Sequence, residues 1–368
     1  IPNSWFERLA SLRFECDVWA VPEGTVVFAG EPLLRVTGPL MQAQIVETYL
    51  MTTLTVQTMI AAKAARTFTA AQGRSIIDFG SRRAHGPQAG LLAARAAYIA
   101  GCAGTSNVEA GRLLGIPTLG TQAHAWIMAF QDEKDAFRKF GQVFPDSATL
   151  LIDTYDTVQG VHNALASGAA MQAVRLDSGD LQQLSKEVRA LLDSAGRQDV
   201  KIVASGDLNE YKIRDLLAAG APIDVFGVGT ELATSRDDPT LNVVYKMVEQ
   251  QTPQGTLGRF KRSSGKKNYP YRKQVFRRRD ACGTFRGDRI VRASDGRDTY
   301  RTEEGEALLI PVLQRGEPAE ALPSLEESRR RCAEQLSHLP PELLALEPCQ
   351  PYPVQVSAEL EAELRRHG

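Results

Sequence analysis

The chain has 368 residues, of which 43% are hydrophobic and 24% are charged. This composition is typical of an ordinary globular protein and excludes disordered, collagen-like and fibrous classes. The chain has 43 Lys and Arg residues and 44 Asp and Glu residues, so its formal net charge is -1. No overall electrostatic field therefore favours nucleic acid or an anionic membrane as a partner.

Other sequence features indicate the cellular compartment. No uninterrupted apolar run reaches the ~18 residues of a membrane span. The five cysteines are scattered and never form a close pair, which favours free thiols in a reducing compartment and matches no zinc pattern. The first residues lack the pattern of a secretory signal. We therefore predict a cytoplasmic protein with neither a membrane nor a nucleic acid as partner.

Residues 1–41 predict a small β layer. Apolar and polar residues alternate over residues 14–19, and apolar runs at 26–28 and 33–36 follow turn-forming Pro and Gly residues. Residues 42–71 have helical spacing and predict a helical connector.

A regular alternation of short apolar runs and helical patterns follows. One helix is predicted from its N-cap Asp180 to Gly196, and another from its N-cap Asp207 to Gly220. Strands that alternate with helices indicate parallel βα units. We assign residues 42–250 to this connector and α/β catalytic domain. The apolar runs cover residues 75–79, 116–119, 149–152, 173–176, 201–204 and 224–228.

Polar groups follow all six runs, which favours a barrel over an open sheet. Six strand ends that converge on one face are typical of a barrel active site, whereas an open sheet concentrates its site at one switch point. The sequence therefore predicts an irregular (β/α) TIM-like barrel with its site at the C-terminal ends of the strands.

Two turns of small residues are suited to phosphate. Backbone N–H groups in such turns bind phosphate in many barrels. Either turn alone is equally typical of an ordinary tight βα connection, but two turns on neighbouring strands favour phosphate. The turns are Ser205-Gly206-Asp207 and Gly227-Val228-Gly229-Thr230.

Three arginines are candidate ligand-binding groups. Arg175 lies inside an apolar run, and Arg82 and Arg83 follow another. A buried guanidinium needs an anionic partner. That partner is either an internal carboxylate, Asp153 or Asp177, or the carboxylate or phosphate of a ligand.

His124 is a candidate base or nucleophile, because it lies just beyond a predicted strand. A structural histidine satisfied by a neighbouring carboxylate is the alternative. Asp177 and Asp180 either bind Mg²⁺ together with substrate phosphates or cap the following helix.

Residues 251–280 predict a loop and edge strands that carry a basic cluster. Because the whole chain is neutral, a solvated edge or a rim that holds phosphates is favoured over a nucleic-acid arm. The tail from Pro318 is predicted to be helical. The basic residues are Lys261, Arg262, Lys266, Lys267, Arg272, Lys273, Arg277, Arg278 and Arg279.

Taken together, these motifs resemble those of the nicotinate phosphoribosyltransferase family. The matching stretches appear in the family's order and span about residues 14–360. They are Asp78-Phe79-Gly80-Ser81-Arg82-Arg83-Ala84, Thr105-Ser106-Asn107-Val108, Gly120-Thr121-Gln122-Ala123-His124, Asp153-Thr154-Tyr155, Val174-Arg175-Leu176-Asp177-Ser178-Gly179-Asp180, Ser205-Gly206-Asp207 and Phe226-Gly227-Val228-Gly229-Thr230.

The resemblance implies the irregular α/β barrel of the type II phosphoribosyltransferases. It also implies a β-rich α/β domain built from both chain ends: residues 1–41, which we expect to be truncated, and residues 251–368 with the helical tail. The implied reaction joins nicotinate to phosphoribosyl pyrophosphate (PRPP), with Mg²⁺ as cofactor and ATP hydrolysed as co-substrate. The products are nicotinate mononucleotide and pyrophosphate, in the salvage branch of NAD biosynthesis. A cytoplasmic homodimer with a shared active site is implied as well.

The resemblance also assigns roles to residues. His124 matches the histidine that ATP phosphorylates. We assign Asp177 to catalysis and, with Asp180, to Mg²⁺ on the chemistry of the residues rather than on the resemblance. Nicotinate is assigned to Thr121, Arg82, Arg83 and Arg175. Gly227, Gly229 and Thr230 match the loop that binds the ribose phosphate of PRPP. The other turn, Ser205, Gly206 and Asp207, is assigned to PRPP from its small residues and its place after the neighbouring strand.

Some features depart from the family pattern. An aspartate-leucine-tyrosine motif, whose tyrosine reaches into the partner's nicotinate pocket, is not found in this sequence, and Ala125 stands where some members have serine. Pro270-Tyr271-Arg272-Lys273 replaces an expected Pro-Gly turn. The alternatives are a nicotinamide or quinolinate phosphoribosyltransferase, or a truncated, non-catalytic nucleotide-binding homologue.

Overall fold

The computed structural model describes residues 2–261, 268–293, 301–302 and 305–367. The α-helices in this part of the chain are α1 (Asn3–Ser11), α2 (Leu40–Ile45), α3 (Glu47–Ala70), α4 (Pro87–Ile99), α5 (Val108–Leu114), α6 (His124–Met128), α7 (Glu133–Val143), α8 (Thr157–Ala166), α9 (Leu181–Ser194), α10 (Glu210–Ala218), α11 (Thr230–Thr234), α12 (Leu325–Ser337), α13 (Pro341–Leu344) and α14 (Ala358–His367), and a 3₁₀ turn covers Ser81–Arg83. The strands are β1 (Asp17–Ala20), β2 (Leu34–Thr37), β3 (Ser75–Asp78), β4 (Gly104–Thr105), β5 (Thr149–Leu151), β6 (Ala173–Leu176), β7 (Lys201–Ala204), β8 (Val225–Val228), β9 (Glu249–Thr252), β10 (Gly255–Gly258), β11 (Lys273–Arg279), β12 (Phe285–Arg292), β13 (Arg301–Thr302), β14 (Gly305–Ala307), β15 (Ile310–Gln314), β16 (Glu317–Pro318) and β17 (Val354–Val356).

The chain divides into two compact units. One, the half-barrel unit, is Thr55–Leu241, and the other, the two-ended unit, combines Ile1–Leu54 with Asn242–Gly368. Among the described residues, none of the helices has the length and apolar character that a bilayer crossing requires.

The half-barrel unit contains a curled parallel sheet of six strands in the order β4-β3-β8-β7-β6-β5. Helices connect successive strands, as right-handed βα units require. Most residues of β5 to β8 are buried, which explains why these strands are near-continuous apolar runs in the sequence. The predicted α/β fold, with a barrel-type parallel sheet and a β-rich unit built from both chain ends, is confirmed.

Helix α9 forms as its sequence predicts. The Asp180 side chain caps the helix, since its Oδ1 accepts a hydrogen bond from the backbone N of Gln183 at 3.1 Å. Val188 and Leu192 on one face are fully buried. Gly196, at φ +73, supplies the left-handed residue that ends the helix.

Helix α10 begins two residues later than predicted. Asp207 has φ +48, directly after Gly206 at φ +98, so it cannot have the extended backbone of an N-cap. Asn209 caps the helix instead, and its Oδ1 accepts from the backbone N of Lys212 at 2.9 Å. The prediction of Asp207 as the cap was wrong. Gly206 and Asp207 belong to the turn after β7.

Two predicted strands do not form. In the run at 116–119, only Thr118 forms a bridge, with Thr105 of the short strand β4. Pro117 lacks an N–H and contributes only its carbonyl, which accepts from Thr105 N at 3.0 Å. The run at 26–28 lies between turns, and Phe28 N donates to the Glu31 side chain at 2.9 Å rather than to a neighbouring strand.

The two-ended unit contains two larger sheets and the hairpin of β9 and β10. The first sheet has the order β16-β15-β1-β2, so β1 pairs antiparallel with β15 from the other end of the chain. The second has the order β13-β14-β11-β12-β17, and β17 lies parallel to β12.

The basic cluster does not lie on one solvated edge, because β11 is a central strand. Arg277 is 1% exposed and pairs across the strands with Asp288, with Nη2 2.6 Å from Oδ2. The Asp288 Oδ1 also accepts from Tyr352 Oη at 2.9 Å. Residues 274–277 of β11 are all buried, so Arg277 lies in the interior, where a buried guanidinium requires this carboxylate. Arg262, Lys266 and Lys267 lie outside the described residues.

Candidate active site

The candidate site residues lie in the half-barrel unit, beyond the C-terminal ends of its strands. Because the strands are parallel, these ends meet at one edge of the sheet. The loops after β3, β6, β7 and β8, together with the segment before α6, carry most of the predicted residues.

Arg175, on β6, connects three of the predicted residues. Its Nη1 donates to Thr121 Oγ1 at 2.7 Å, its Nε to Ser205 Oγ at 2.8 Å, and its Nη2 to Asp177 Oδ1 at 2.6 Å. The side chain is only 14% exposed. The internal carboxylate that the sequence offered as one alternative is therefore present, and it is Asp177.

These bonds leave Arg175 some donor capacity. A guanidinium has five N–H groups, and Nη1 also lies 3.5 Å from the carbonyl O of Gln122, at the limit of a hydrogen bond. The second N–H of Nη2 has no partner within the described residues. Arg175 can thus position Thr121 and Asp177 and still donate to an anionic ligand.

Asp177 is ionised in this environment. Burial alone would raise the pKa of its carboxyl, but the hydrogen bond from Ser205, together with the charge and hydrogen bond of Arg175, outweighs burial and lowers the pKa below its usual value. The Ser205 hydroxyl donates to Oδ1 at 2.5 Å. The second oxygen, Oδ2, lies 3.5 Å from Nε2 of His124.

His124 is the first residue of α6. Its Nδ1 lies 3.2 Å from the Thr154 hydroxyl, so both ring nitrogens face polar groups. The side chain is 42% exposed and therefore accessible to a ligand. The structure brings His124 and Asp177 together, an arrangement that suits a nucleophile with an orienting group and equally a histidine satisfied by a neighbouring carboxylate.

The sequence offered Asp153 as an internal partner of Arg175 and as part of the Asp153-Thr154-Tyr155 motif, but Asp153 contacts Asp177 instead. Its Oδ2 accepts from the backbone N of Asp177 at 2.7 Å and from Ser178 Oγ at 3.0 Å. Its Oδ1 is buried and has no hydrogen-bond partner among the described residues. The sequence showed only that an aspartate follows β5. Its contact with the loop after β6 depends on strand order, which the sequence does not give.

Gln122 had no predicted role. It is 2% exposed, and its Oε1 accepts from the backbone N of Leu151 on β5 at 3.0 Å. Since Thr121 and His124 flank it, this bond holds their segment against the sheet.

Close packing explains the glycine after Ser205. A Cβ on Gly206 would lie 2.1 Å from the carbonyl O of Asp177, and its φ of +98 is unfavourable for other residues. Ser205 itself is 3% exposed. The turn at 205–207 therefore packs directly against the Asp177 backbone.

The turn after β8 packs against β3 and its loop. A Cβ on Gly227 would lie 2.5 Å from the Phe79 ring, and one on Gly229 would lie 3.4 Å from the Phe79 carbonyl O. Arg175 lies over the same ring, with its Cζ 5.4 Å from the centroid. Thr230 begins α11 directly after this turn.

Arg82 and Arg83 lie in the 3₁₀ turn after β3. Both are exposed, and neither guanidinium has a partner in the described part of the chain. They are free to bind a ligand, but no contact joins them to Arg175.

Asp180 has a structural role as the cap of α9, which was one of the two alternatives. Its Oδ1 serves the cap, and its other oxygen has no partner within the ranges that the structure describes. The described residues contain no group of three or more metal-ligating side chains in range of one ion.

The donor set nevertheless fits Mg²⁺, which binds oxygen ligands and commonly uses one or two carboxylates plus substrate phosphates. Asp177 and Asp180 offer carboxylate oxygens on one loop, and the buried Oδ1 of Asp153 is unsatisfied next to it.

Family models match almost the whole chain. The model of the nicotinate phosphoribosyltransferase (NAPRTase) family matches residues 74–268. The models of its N-terminal and C-terminal domains match residues 1–55 and 292–363.

Individual proteins agree with the family models. The chain is 45% identical over 372 residues to the nicotinate phosphoribosyltransferase pncB2 of Mycobacterium tuberculosis, covering 99% of this chain and 78% of the relative. The crystal structure of human nicotinic acid phosphoribosyltransferase superposes with a TM-score of 0.82 at 26% identity, covering 100% of this chain and 85% of that chain. A nicotinate-nucleotide pyrophosphorylase from Pyrococcus furiosus superposes with a TM-score of 0.75 at 30% identity, over 90% and 84% of the two chains. The chain belongs to the nicotinate phosphoribosyltransferase family.

Proposed function

We propose that this enzyme joins nicotinate to PRPP, forming nicotinate mononucleotide and pyrophosphate in NAD salvage, and couples the reaction to ATP hydrolysis through a phosphohistidine at His124. The observation that carries the proposal is the chain of contacts from Thr121 through Arg175 and Asp177 to His124. Family membership supports the same reaction.

The nicotinate carboxylate is assigned to the cationic side of the site. Arg175 keeps an N–H free for an anion, and the exposed guanidinium groups of Arg82 and Arg83 have no described partner. Guanidinium groups bind carboxylates in a planar, two-point geometry. Thr121, held by Arg175 Nη1, contributes a hydroxyl at the same place.

PRPP is assigned to the two turns after β7 and β8. Gly206, Gly227 and Gly229 lack side chains where a Cβ would press on Asp177 or Phe79, so both turns pack tightly against the protein. Their backbone N–H groups are the donors that we assign to phosphate. Ser205, Asp207 and Thr230 provide polar side chains in the same turns.

His124 takes the γ-phosphoryl group of ATP. One ring nitrogen forms a bond to phosphorus, the bond between phosphorus and the β-γ bridging oxygen breaks, and ADP leaves. Thr154 or Asp177 holds the other ring nitrogen in place. Hydrolysis of the phosphohistidine returns inorganic phosphate and the free imidazole.

Asp177 and Asp180 are the residues that would hold Mg²⁺ with the pyrophosphate oxygens. There the ion would neutralise the charge that develops on the leaving pyrophosphate, which is a common use of Mg²⁺ in phosphate chemistry. Asp177 orients His124, and its negative charge would favour the positive charge that develops on the ribose carbon.

A homodimer with a shared active site and a cytoplasmic location belong to the same proposal. The five cysteines are free, which supports a reducing compartment.

The test measures pyrophosphate release from PRPP and Mg²⁺ with nicotinate, nicotinamide or quinolinate, each with and without ATP. We expect ATP-stimulated release with nicotinate alone. Release with quinolinate that is indifferent to ATP would favour a quinolinate enzyme instead. No release with any of the three would refute the proposed activity of this chain and favour a nucleotide-binding role.

His124→Ala tests the phosphohistidine. We expect the variant to lose ATP stimulation and the label from γ-phosphate-labelled ATP, yet keep a weak PRPP-dependent reaction, because the nicotinate and PRPP contacts lie on other residues. Undiminished ATP stimulation in the variant would remove His124 from this role.

A further inference from the structure

A buried lysine connects two segments of the half-barrel unit. Lys63, on α3, is 3% exposed, and its Nζ lies 2.8 Å from Oε2 of Glu210 and 2.8 Å from Oδ1 of Asp237. Glu210 is fully buried and also pairs with Arg66, whose Nε lies 3.1 Å from Oε1. Burial alone would lower the pKa of Lys63, but its bonds to the two carboxylates outweigh burial and raise it. Lys63 is therefore a charged group with two anionic partners.

The two partners of Lys63 follow adjacent strands. Glu210 is the first residue of α10 and comes directly after the turn at 205–207 and its cap. Asp237 follows α11, which begins at Thr230 after the turn at 227–229. One buried cation thus links the segment after β7 to the segment after β8.

Short-range bonds fix the loop of Asp237 to α11. Ser235, at φ +44, donates from its hydroxyl to the carbonyl O of Asp238 at 3.0 Å, and Asp238 N donates back to Ser235 O at 2.9 Å. Arg236 pairs with Glu231 of α11 at 3.2 Å. A displacement of Asp237 is therefore passed on to α11 and the turn before it.

On the other side, Glu210 is equally well connected. Asn209 caps α10, and Lys212 Nζ donates to the carbonyl O of Asp207 at 2.8 Å. Gly206 packs against the Asp177 carbonyl. The position of Glu210 is thus tied to the turn and, through it, to Asp177.

We propose that Lys63 is a positioning residue that sets the spacing between the turn at 205–207 and the turn at 227–230, and through it the affinity for PRPP. The inference deepens the proposed function and depends on it. A buried ion pair contributes little to stability compared with apolar side chains of similar volume. Its directional bonds do hold the two segments at a fixed distance.

The experiment compares Lys63→Met with a matched variant, Arg189→Met. Arg189 is a cation of the same unit with a side chain that is 20% exposed. It donates to the carbonyl groups of Val200 and Arg197 at 2.6 and 2.7 Å, before β7 and so at the opposite end of the strands from the site. The KM for PRPP, the KM for nicotinate, kcat and the Tm are measured for both variants and the wild type.

Lys63→Met is expected to lower kcat/KM for PRPP between about tenfold and a hundredfold, as a small misplacement of binding groups does. The loss should appear mainly in KM for PRPP, with KM for nicotinate little changed. Arg189→Met should lower Tm and leave both KM values unchanged. A folded Lys63→Met variant with an unchanged KM for PRPP overturns the positioning role.

Two further variants separate positioning from stability. Lys63→Met leaves the buried Glu210 carboxylate with Arg66 as its remaining cation. In Lys63→Met with Glu210→Gln that buried charge is gone, so Tm should recover in part while KM for PRPP stays high. Recovery of KM together with Tm would show a merely structural role. If Lys63→Met does not fold, Asp237→Asn replaces it, because the Asp237 side chain is 44% exposed. This variant should raise KM for PRPP by a smaller factor than the one expected for Lys63→Met. An unchanged KM for PRPP would overturn the inference.

The wild-type arm separates this inference from the proposed function. A wild-type chain that does not turn over PRPP refutes both. An active wild type whose Lys63 and Asp237 variants keep their KM for PRPP refutes the positioning role alone.

Discussion

Arg175→Lys should damage activity severely although it keeps the positive charge. The guanidinium donates to Thr121, Ser205 and Asp177 at 2.7, 2.8 and 2.6 Å from three different nitrogens. A lysine has one ammonium on a flexible stem and cannot reproduce this planar set, so we expect two of the three bonds to be lost. A hydrogen bond that involves a charged group contributes about 1.5–3 kcal/mol. Loss of two is therefore worth about 3–6 kcal/mol, and where that whole loss falls on the transition state, kcat/KM drops by roughly a hundredfold to ten-thousandfold.

The assay is kcat/KM for nicotinate at saturating PRPP and ATP. Arg189→Lys is the matched control, because Arg189 also donates through three nitrogens, to Asp193, Val200 and Arg197 at 2.8, 2.6 and 2.7 Å, but before β7. We expect the control to lose stability and keep its kcat/KM. A loss of less than about threefold in Arg175→Lys, or an equal loss in the control, would refute the reasoning.

Two further substitutions test the packing of each unit. Gly206→Ala should strongly lower kcat/KM for PRPP, because a Cβ at Gly206 would lie 2.1 Å from the Asp177 carbonyl O and because the φ of Gly206 is +98. Normal activity in steady-state kinetics would contradict the close packing of this turn. Arg277→Met should lower the free energy of unfolding by about 3–5 kcal/mol, because it leaves Asp288 buried without its cation; urea unfolding that shows a loss below about 1 kcal/mol would mean that the pair contributes little.

The parallel strands of the half-barrel unit were predictable because their signal is local. The run at 173–176 matches β6 and the run at 201–204 matches β7, since a strand buried on both faces must be apolar throughout. The cap at Asp180 and the left-handed Gly196 were equally readable, because a helix end depends on neighbours in sequence.

Features that depend on distant partners were not predictable. Arg277 belonged to a basic stretch, and only the register of β11 against β12 reveals that it faces Asp288 and is buried. The positive φ of Asp207 depends on how the turn packs against Asp177, so a residue type that suits an N-cap misled the prediction.

The candidate site was predictable as a set of residues but not as a network. An arginine in an apolar run indicated an anionic partner, and the structure provides Asp177. The sequence could not choose between Asp153 and Asp177, because both follow neighbouring strands. It also gave no sign that Lys63 on α3 contacts the segments after β7 and β8, since these contacts span more than 140 residues.

The two-ended unit has a consequence for how the protein is made. Arg315 N donates to Asp17 Oδ1 across 298 residues, and β1 pairs with β15 beside it. A ribosome releases residues 55–241 before β15 exists, so the half-barrel unit can fold during translation while β1 still lacks β15 as its neighbouring strand. An unpaired strand edge readily joins another chain. The nascent protein is therefore most exposed to aggregation in the interval between completion of the half-barrel unit and arrival of β15.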